Sequence, residues 1–101
     1  MTFTWDKAKA KSNLAKHGVS FDDAKRAFAD LYAIEYYDDR QDYKEERVIL
    51  LGMVDGEVLS IVYTERDESI SLISAKGAAK NEKKNYFEQN RYSAADDGPR
   101  H

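Results

Sequence analysis

A chain of 101 residues with 42% hydrophobic content, a single Pro and a formal net charge of -3 has the size and composition of one packed domain. It contains no Cys, which excludes disulfides, thiolate metal sites and cysteine nucleophiles. No apolar run nears the ~20 residues of a membrane span, and the N-terminus lacks the charged and apolar regions of a signal peptide, so a cytoplasmic chain with no membrane partner is expected.

Asp6 is a suitable N-cap for a helix to about Lys16, with Ala8, Ala10, Leu14 and Ala15 as its small apolar positions and Gly18 as its left-handed stop. Ser20 and Asp23 approximate a capping box that opens a second helix to about Ala29, with Ala24, Ala27 and Phe28 on its buried side. Leu31 to Tyr37 reads as a first strand, followed by the longest loop, Asp38 to Glu45. Arg47 to Val54 and Glu57 to Arg66 are the strongest strands, joined by Asp55-Gly56, the signature of a two-residue type I′ hairpin. Ile70 to Lys76 makes a fourth strand, and a closing helix runs from about Ala78 to Asn90. A single domain over 1–90 is expected, with a small polar tail, 91–101, that is mobile. The order ααββββα predicts an α+β domain with two N-terminal helices, a four-stranded mainly antiparallel sheet and a C-terminal helix.

The Asp55-Gly56 turn sets a register. With Val54 opposite Glu57, Ile49 falls opposite Val62 and Arg47 opposite Thr64, so one sheet face is apolar near the turn and cationic at the far end, where Arg66 joins Arg47. A loop of two or four residues in the next hairpin places Ser71 opposite Thr64, and an odd-length loop would reverse every side chain. The acidic total charge offers no whole-molecule attraction for a polyanion, so nucleic-acid contact has to rest on local patches. Lys7, Lys9, Lys11 and Lys16 crowd the first helix, and Lys76, Lys80, Lys83, Lys84 and Arg91 the last segment, while acids gather from Glu35 to Glu46. Neither His17 nor His101 has a second histidine at ligand spacing, and no glycine-rich phosphate loop or serine elbow occurs, so no metal and no cofactor is expected.

Two signatures at opposite ends of the chain carry a resemblance. They are Trp5-Asp6 with Asn13 and Lys16-His17-Gly18-Val19-Ser20-Phe21, and Ile73-Ser74-Ala75-Lys76 with Glu82 and Tyr86. Phe28, Asp39, Arg47, Gly52, Thr64 and Arg66 fall between them in matching order. The string resembles the BrnT-type toxins of type II toxin–antitoxin pairs, a family with a RelE-like fold. Ser71 and Lys76 stand where that pattern usually has arginine, and Ala79 where it usually has threonine.

The resemblance implies an endoribonuclease that works without metal, blocks translation by cutting RNA, and is neutralised by a BrnA-like antitoxin. That antitoxin carries the DNA-binding element, so operator DNA is met only through it. Carried onto this chain, the chemistry implies that Arg47 and Arg66 bind the scissile phosphate, with Lys76, Glu82 and Tyr86 as candidate proton carriers and His17 in a minor role. Lys80, Lys83, Lys84 and Thr64 are the candidate RNA contacts. Ser71 and Lys76 also support an alternative, a catalytically impaired member that serves as an antitoxin-binding corepressor. The plainer reading of Arg47 and Arg66 is as strand-end ion pairs with Glu45, Glu46, Glu65 or Asp67.

Overall fold

The computed structural model describes residues 1–39 and 45–97, with side chains described up to 90, so most of the expected Asp38 to Glu45 loop lies outside the described residues. In chain order the elements are β1 (Thr2–Thr4), α1 (Lys7–His17), α2 (Phe21–Ala24) running into a 3-10 turn (Lys25–Ala29), β2 (Ile34–Tyr37), β3 (Val48–Val54), β4 (Glu57–Arg66), β5 (Ser69–Gly77) and α3 (Lys80–Asp97). The result is an α+β fold built on one five-stranded sheet of order β1-β5-β4-β3-β2. All pairings are antiparallel except β1 on β5.

Helix starts follow the caps. Asp6 accepts from Ala8 N at 2.7 Å and Lys9 N at 3.4 Å, and Gly18 closes α1 at φ 71. Ser20 accepts from Asp23 N at 3.0 Å, but the helix it opens tightens to 3-10 geometry from Lys25 to Ala29. The first long strand begins three residues later than expected because Asp30 turns the chain. Its Oδ1 accepts from Tyr32 N at 2.9 Å and its carbonyl from Ala33 N at 3.1 Å, which leaves Leu31 95% exposed in the turn. The three-residue β1 is too short to show a period in sequence, and its parallel partner lies at the other end of the chain. It is the correction to the expected four strands. At the far end α3 continues past Asn90 to Asp97, and the rest of the expected tail, 98–101, lies outside the described residues.

The hairpin register matches expectation. Val54 pairs with Glu57 and Ile49 with Val62, and the turn residues Asp55 and Gly56 take φ 51 and 84, as a type I′ turn requires. Arg66 pairs with Ser69 across a two-residue loop, which puts Thr64 opposite Ser71.

Further along β5 the register slips. Tyr63 pairs with Leu72 but Val62 with Ser74, so Ile73 is the extra residue of a bulge. Ser71 and Lys76 are an odd number of positions apart and would face opposite ways in a regular strand. The bulge brings both onto the face that carries Ile49 and Val62.

The sheet is covered on both faces, unequally. Phe21, Ala24 and Ala27 from the helical pair pack on Leu50, Leu59, Ile61, Tyr63 and Leu72. Gly52 permits the close approach on that side, since a Cβ there would stand 2.7 Å from the Ala27 carbonyl oxygen. On the other face Tyr86 and Ala78 cover Ile49, Leu51 and Val58, with Ile34, Met53 and Val62 packed against them. The uncovered end of this second face is where the polar residues collect.

Helix α1 docks in a way its small apolar positions do not suggest. Leu14 is 51% exposed, and the buried residue of the helix is Asn13. Because β1 ends at the Thr4–Ser71 pair, the outer edge of β5 is open at Ala75. The Asn13 carboxamide fills it, donating to Ala75 O at 2.8 Å and accepting from Ala75 N at 3.1 Å, with a second donation to Val19 O at 3.0 Å. A side chain thus completes the ladder where a strand stops.

Asp30 ties the opposite corner. Besides Tyr32 N, it accepts from Met53 N at 2.8 Å and from the Tyr86 hydroxyl at 2.6 Å. Partial burial works against the charged form, but the hydrogen bonds from Tyr86, Met53 and Tyr32 outweigh it and hold the carboxyl below its ordinary 3.8. A depressed carboxylate stabilises the fold fully above its unfolded pKa and loses that contribution as pH falls through the lower folded value. Urea melts between about pH 2 and 6 should therefore show an acid-dependent loss of stability that Asp30→Asn reduces. An unchanged acid limb in that variant would assign the loss to other carboxylates.

Candidate active site

Two clefts open on or beside the partly covered face. The first, about 380 Å³, is lined by Thr4, Asp6, Lys9, Glu45, Arg47, Arg66 and Ser71. Its row across the sheet follows from pairing, Thr4 beside Ser71 and Ser71 beside Thr64. Arg47 stands one residue before β3 with its carbonyl accepting from Asp38 N at 2.8 Å, and Arg66 is the last residue of β4.

Both guanidinium groups therefore border one cleft, and Lys9 from α1 joins them. Lys9 was visible in sequence only as one of four crowded lysines, since nothing local says which of them turns toward the sheet. Thr64 is 1% exposed, so it lies beneath the row and not on its surface.

Arg66 is held in a fork. Glu45 accepts from its Nη2 at 2.7 Å and its Nε at 3.3 Å, with side chains 61% and 44% exposed. The Arg66 hydrogen bond depresses the Glu45 carboxyl against a partial desolvation cost, and the charges of Arg66, Arg47 and Lys9 add to it. The cleft is a cationic site in which the Arg66 fork is occupied by the protein's own carboxylate.

The second cleft, about 350 Å³, is lined by Tyr36, Tyr37, Asp38, Asp39, Ile49, Lys76, Ala79, Asn81 and Glu82. Lys76 pairs with Ser60 on β4. It lies four β4 residues from the Thr64 row, or about 13 Å at roughly 3.3 Å per residue. Glu82 is fixed by three donors: Ala79 N at 2.8 Å on Oε1, and the Ser60 and Tyr36 hydroxyls at 3.1 and 3.2 Å on Oε2.

The bond from Ala79 N is half of a capping box, with Ala79 at the N-cap position of α3. Ala79→Thr supplies the missing hydroxyl and should raise stability by about 0.5–2 kcal/mol. A melt with no gain would mean that the Thr side chain does not reach the Glu82 backbone N–H.

The residues grouped by the resemblance are thus divided. Arg47 and Arg66 share the first cleft, and Lys76 and Glu82 share the second. Tyr86 lines neither, being 4% exposed with its hydroxyl donated to Asp30. His17 is exposed in a separate hollow with Lys9, Asn13 and Ser74. Lys80, Lys83 and Lys84 are exposed on α3.

A family model described as "Ribonuclease toxin, BrnT, of type II toxin-antitoxin system" matches residues 5–82. The chain belongs to the BrnT family. Comparison with curated proteins gave no match. As a BrnT-family type II toxin, the chain has RNA as its substrate and a cognate antitoxin as its partner. The matched span takes in the second cleft and all of the first but Thr4, from Trp5 in the first to Glu82 in the second.

Proposed function

We propose that the chain is a metal-independent endoribonuclease that blocks translation by cutting RNA, with the scissile phosphate held in the first cleft. The observation that carries this is the convergence of Arg47, Arg66 and Lys9 on one cleft of a ribonuclease-toxin fold. In the reaction the 2′-oxygen bonds to phosphorus as the bond to the 5′-oxygen breaks, and one proton leaves the 2′-hydroxyl while another reaches the departing oxygen. Negative charge grows on the nonbridging oxygens, and fixed guanidinium groups stabilise it.

Phosphate competes with Glu45 for the Arg66 fork, which is exposed and exchangeable. In this reading the charge that grows on the phosphate is met by the Arg47, Arg66 and Lys9 side chains. A DNA-binding antitoxin completes the reading, holding the toxin inactive and carrying it to the operator. The test is cleavage of RNA by the purified free chain in EDTA, with loss of cleavage when antitoxin is added. Cleavage that stops in EDTA and returns with magnesium would overturn the metal-independent chemistry.

A second reading, a corepressor module with weakened chemistry, is favoured by the Glu45 counterion on Arg66 and by Ser71 in the cationic row. Ser71→Arg separates the two. Adding a cation beside Thr64 should raise cleavage about tenfold or more if the row binds the phosphate, since a charge-assisted bond contributes roughly 1.5–3 kcal/mol. No gain from a weakly active parent would place position 71 outside the site.

A further inference from the structure

We propose that the second cleft is a subsite for one unstacked guanine base next to the bond cut in the first, an inference that rests on the ribonuclease reading. The cleft joins the end of β2 to the first turn of α3, and at about 350 Å³ it has the scale of a single nucleotide. Its charge balance is acidic, with Asp38, Asp39 and Glu82 against Lys76, so a phosphate is disfavoured there. Its apolar component is aromatic: Tyr36, 38% exposed on an edge strand and on the sheet face of Ile49 and Lys76, offers ring surface that can stack a base.

Two groups at the mouth are uncommitted. Among the described residues, Asp39 and Lys76 form no hydrogen bond or ion pair, and both are exposed. A carboxylate and an ammonium in one cleft complement guanine, whose N1–H and N2 amino group are adjacent donors and whose O6 and N7 are adjacent acceptors. Cytosine and adenine offer the carboxylate a single amino group, and uracil a single N–H.

Glu82, fixed by Ala79, Ser60 and Tyr36, forms a rigid wall that holds Tyr36 in place. The separation of about 13 Å from the arginine row is one that an extended strand bridges within a couple of nucleotides. The Ile73 bulge is what turns Lys76 into this cleft's face, so the same backbone irregularity that aligns Ser71 with Lys76 couples the two clefts.

The test uses the purified full chain and the four nucleosides, which lack phosphate and so probe the base site alone, with binding read by calorimetry or saturation-transfer NMR. Guanosine should bind about tenfold more tightly than adenosine, cytidine or uridine. Asp39→Asn and Lys76→Met should each remove that preference while melting with the parent, and Arg66→Ala should keep it. On a mixed-sequence RNA, Asp39→Asn should lower the ratio of cleavage beside guanosine to cleavage elsewhere. Equal binding of all four nucleosides, or an unaltered cleavage ratio in Asp39→Asn, would overturn the subsite and leave the ribonuclease reading intact. Guanosine binding with no cleavage of any RNA would do the reverse. Loss of antitoxin binding in Asp39→Asn with guanosine binding absent throughout would assign the cleft to the protein partner and overturn the proposal.

Discussion

Arg66→Ala should reduce RNA cleavage by about 10²- to 10³-fold, the loss expected when one donor of roughly 2.7–4 kcal/mol is removed from a developing oxyanion. The fall should appear in kcat as well as kcat/KM, because the interaction strengthens as charge accumulates on the phosphate. Stability should hardly change. The Arg66–Glu45 pair is 61% and 44% exposed at its side chains, and such pairs contribute at most about 1 kcal/mol. A variant that cuts at the parental rate, or that melts far below it, would remove Arg66 from the site or make its part structural. Measuring both properties on one preparation separates these outcomes.

Asn13→Ala should have the largest effect on the fold itself. It deletes three hydrogen bonds and orphans the N–H and C=O of Ala75 beneath α1. Each unsatisfied buried group costs roughly 1–3 kcal/mol, so a loss of about 3 kcal/mol is expected, against a total of about 5–15 for a domain of ordinary stability. At this chain length that corresponds to a fall in Tm of roughly 12–24 °C. Asn13→Asp is the informative companion. It keeps the acceptor for Ala75 N but replaces the donor that Ala75 O and Val19 O require, so it should also destabilise. A loss within about 1 kcal/mol for Asn13→Ala would mean that α1 stays on the sheet through Ala10 and its flanks.

What could be read from the sequence was what local chemistry dictates. Asp55-Gly56 permits one hairpin geometry, and from it the pairing of Ile49 with Val62 follows by counting. Asp6, Gly18 and Ser20 act on backbone groups within three or four residues of themselves. Features that escaped depend on contacts far apart in the chain. β1 is three residues long and pairs with a strand more than sixty positions away, so no periodicity announces it. The Ile73 bulge sits inside a strand of ordinary composition. Asn13 looks like a solvated helix residue until the edge of β5 is seen to stop short.

The site divided along the same line. Arg47 and Arg66 could be placed on one face because their register is set by one turn. Lys76 could not be placed without the bulge, nor Lys9 without knowing how α1 lies. Tyr86 has the residue type and helix position of a site residue, and only its contact with Asp30 shows where its hydroxyl goes.

The parallel pairing of β1 with β5 also sets the timetable of the molecule's assembly. β3, β4 and β5 can zip together as successive hairpins, whereas Thr2 meets Ser69 and Asn13 meets Ala75 only after a loop of more than sixty residues has closed. The first cleft draws Thr4 and Lys9 from one end of that loop and Ser71 from the other. A chain in which that loop has not closed therefore carries Arg47 and Arg66 without the cleft that gathers them.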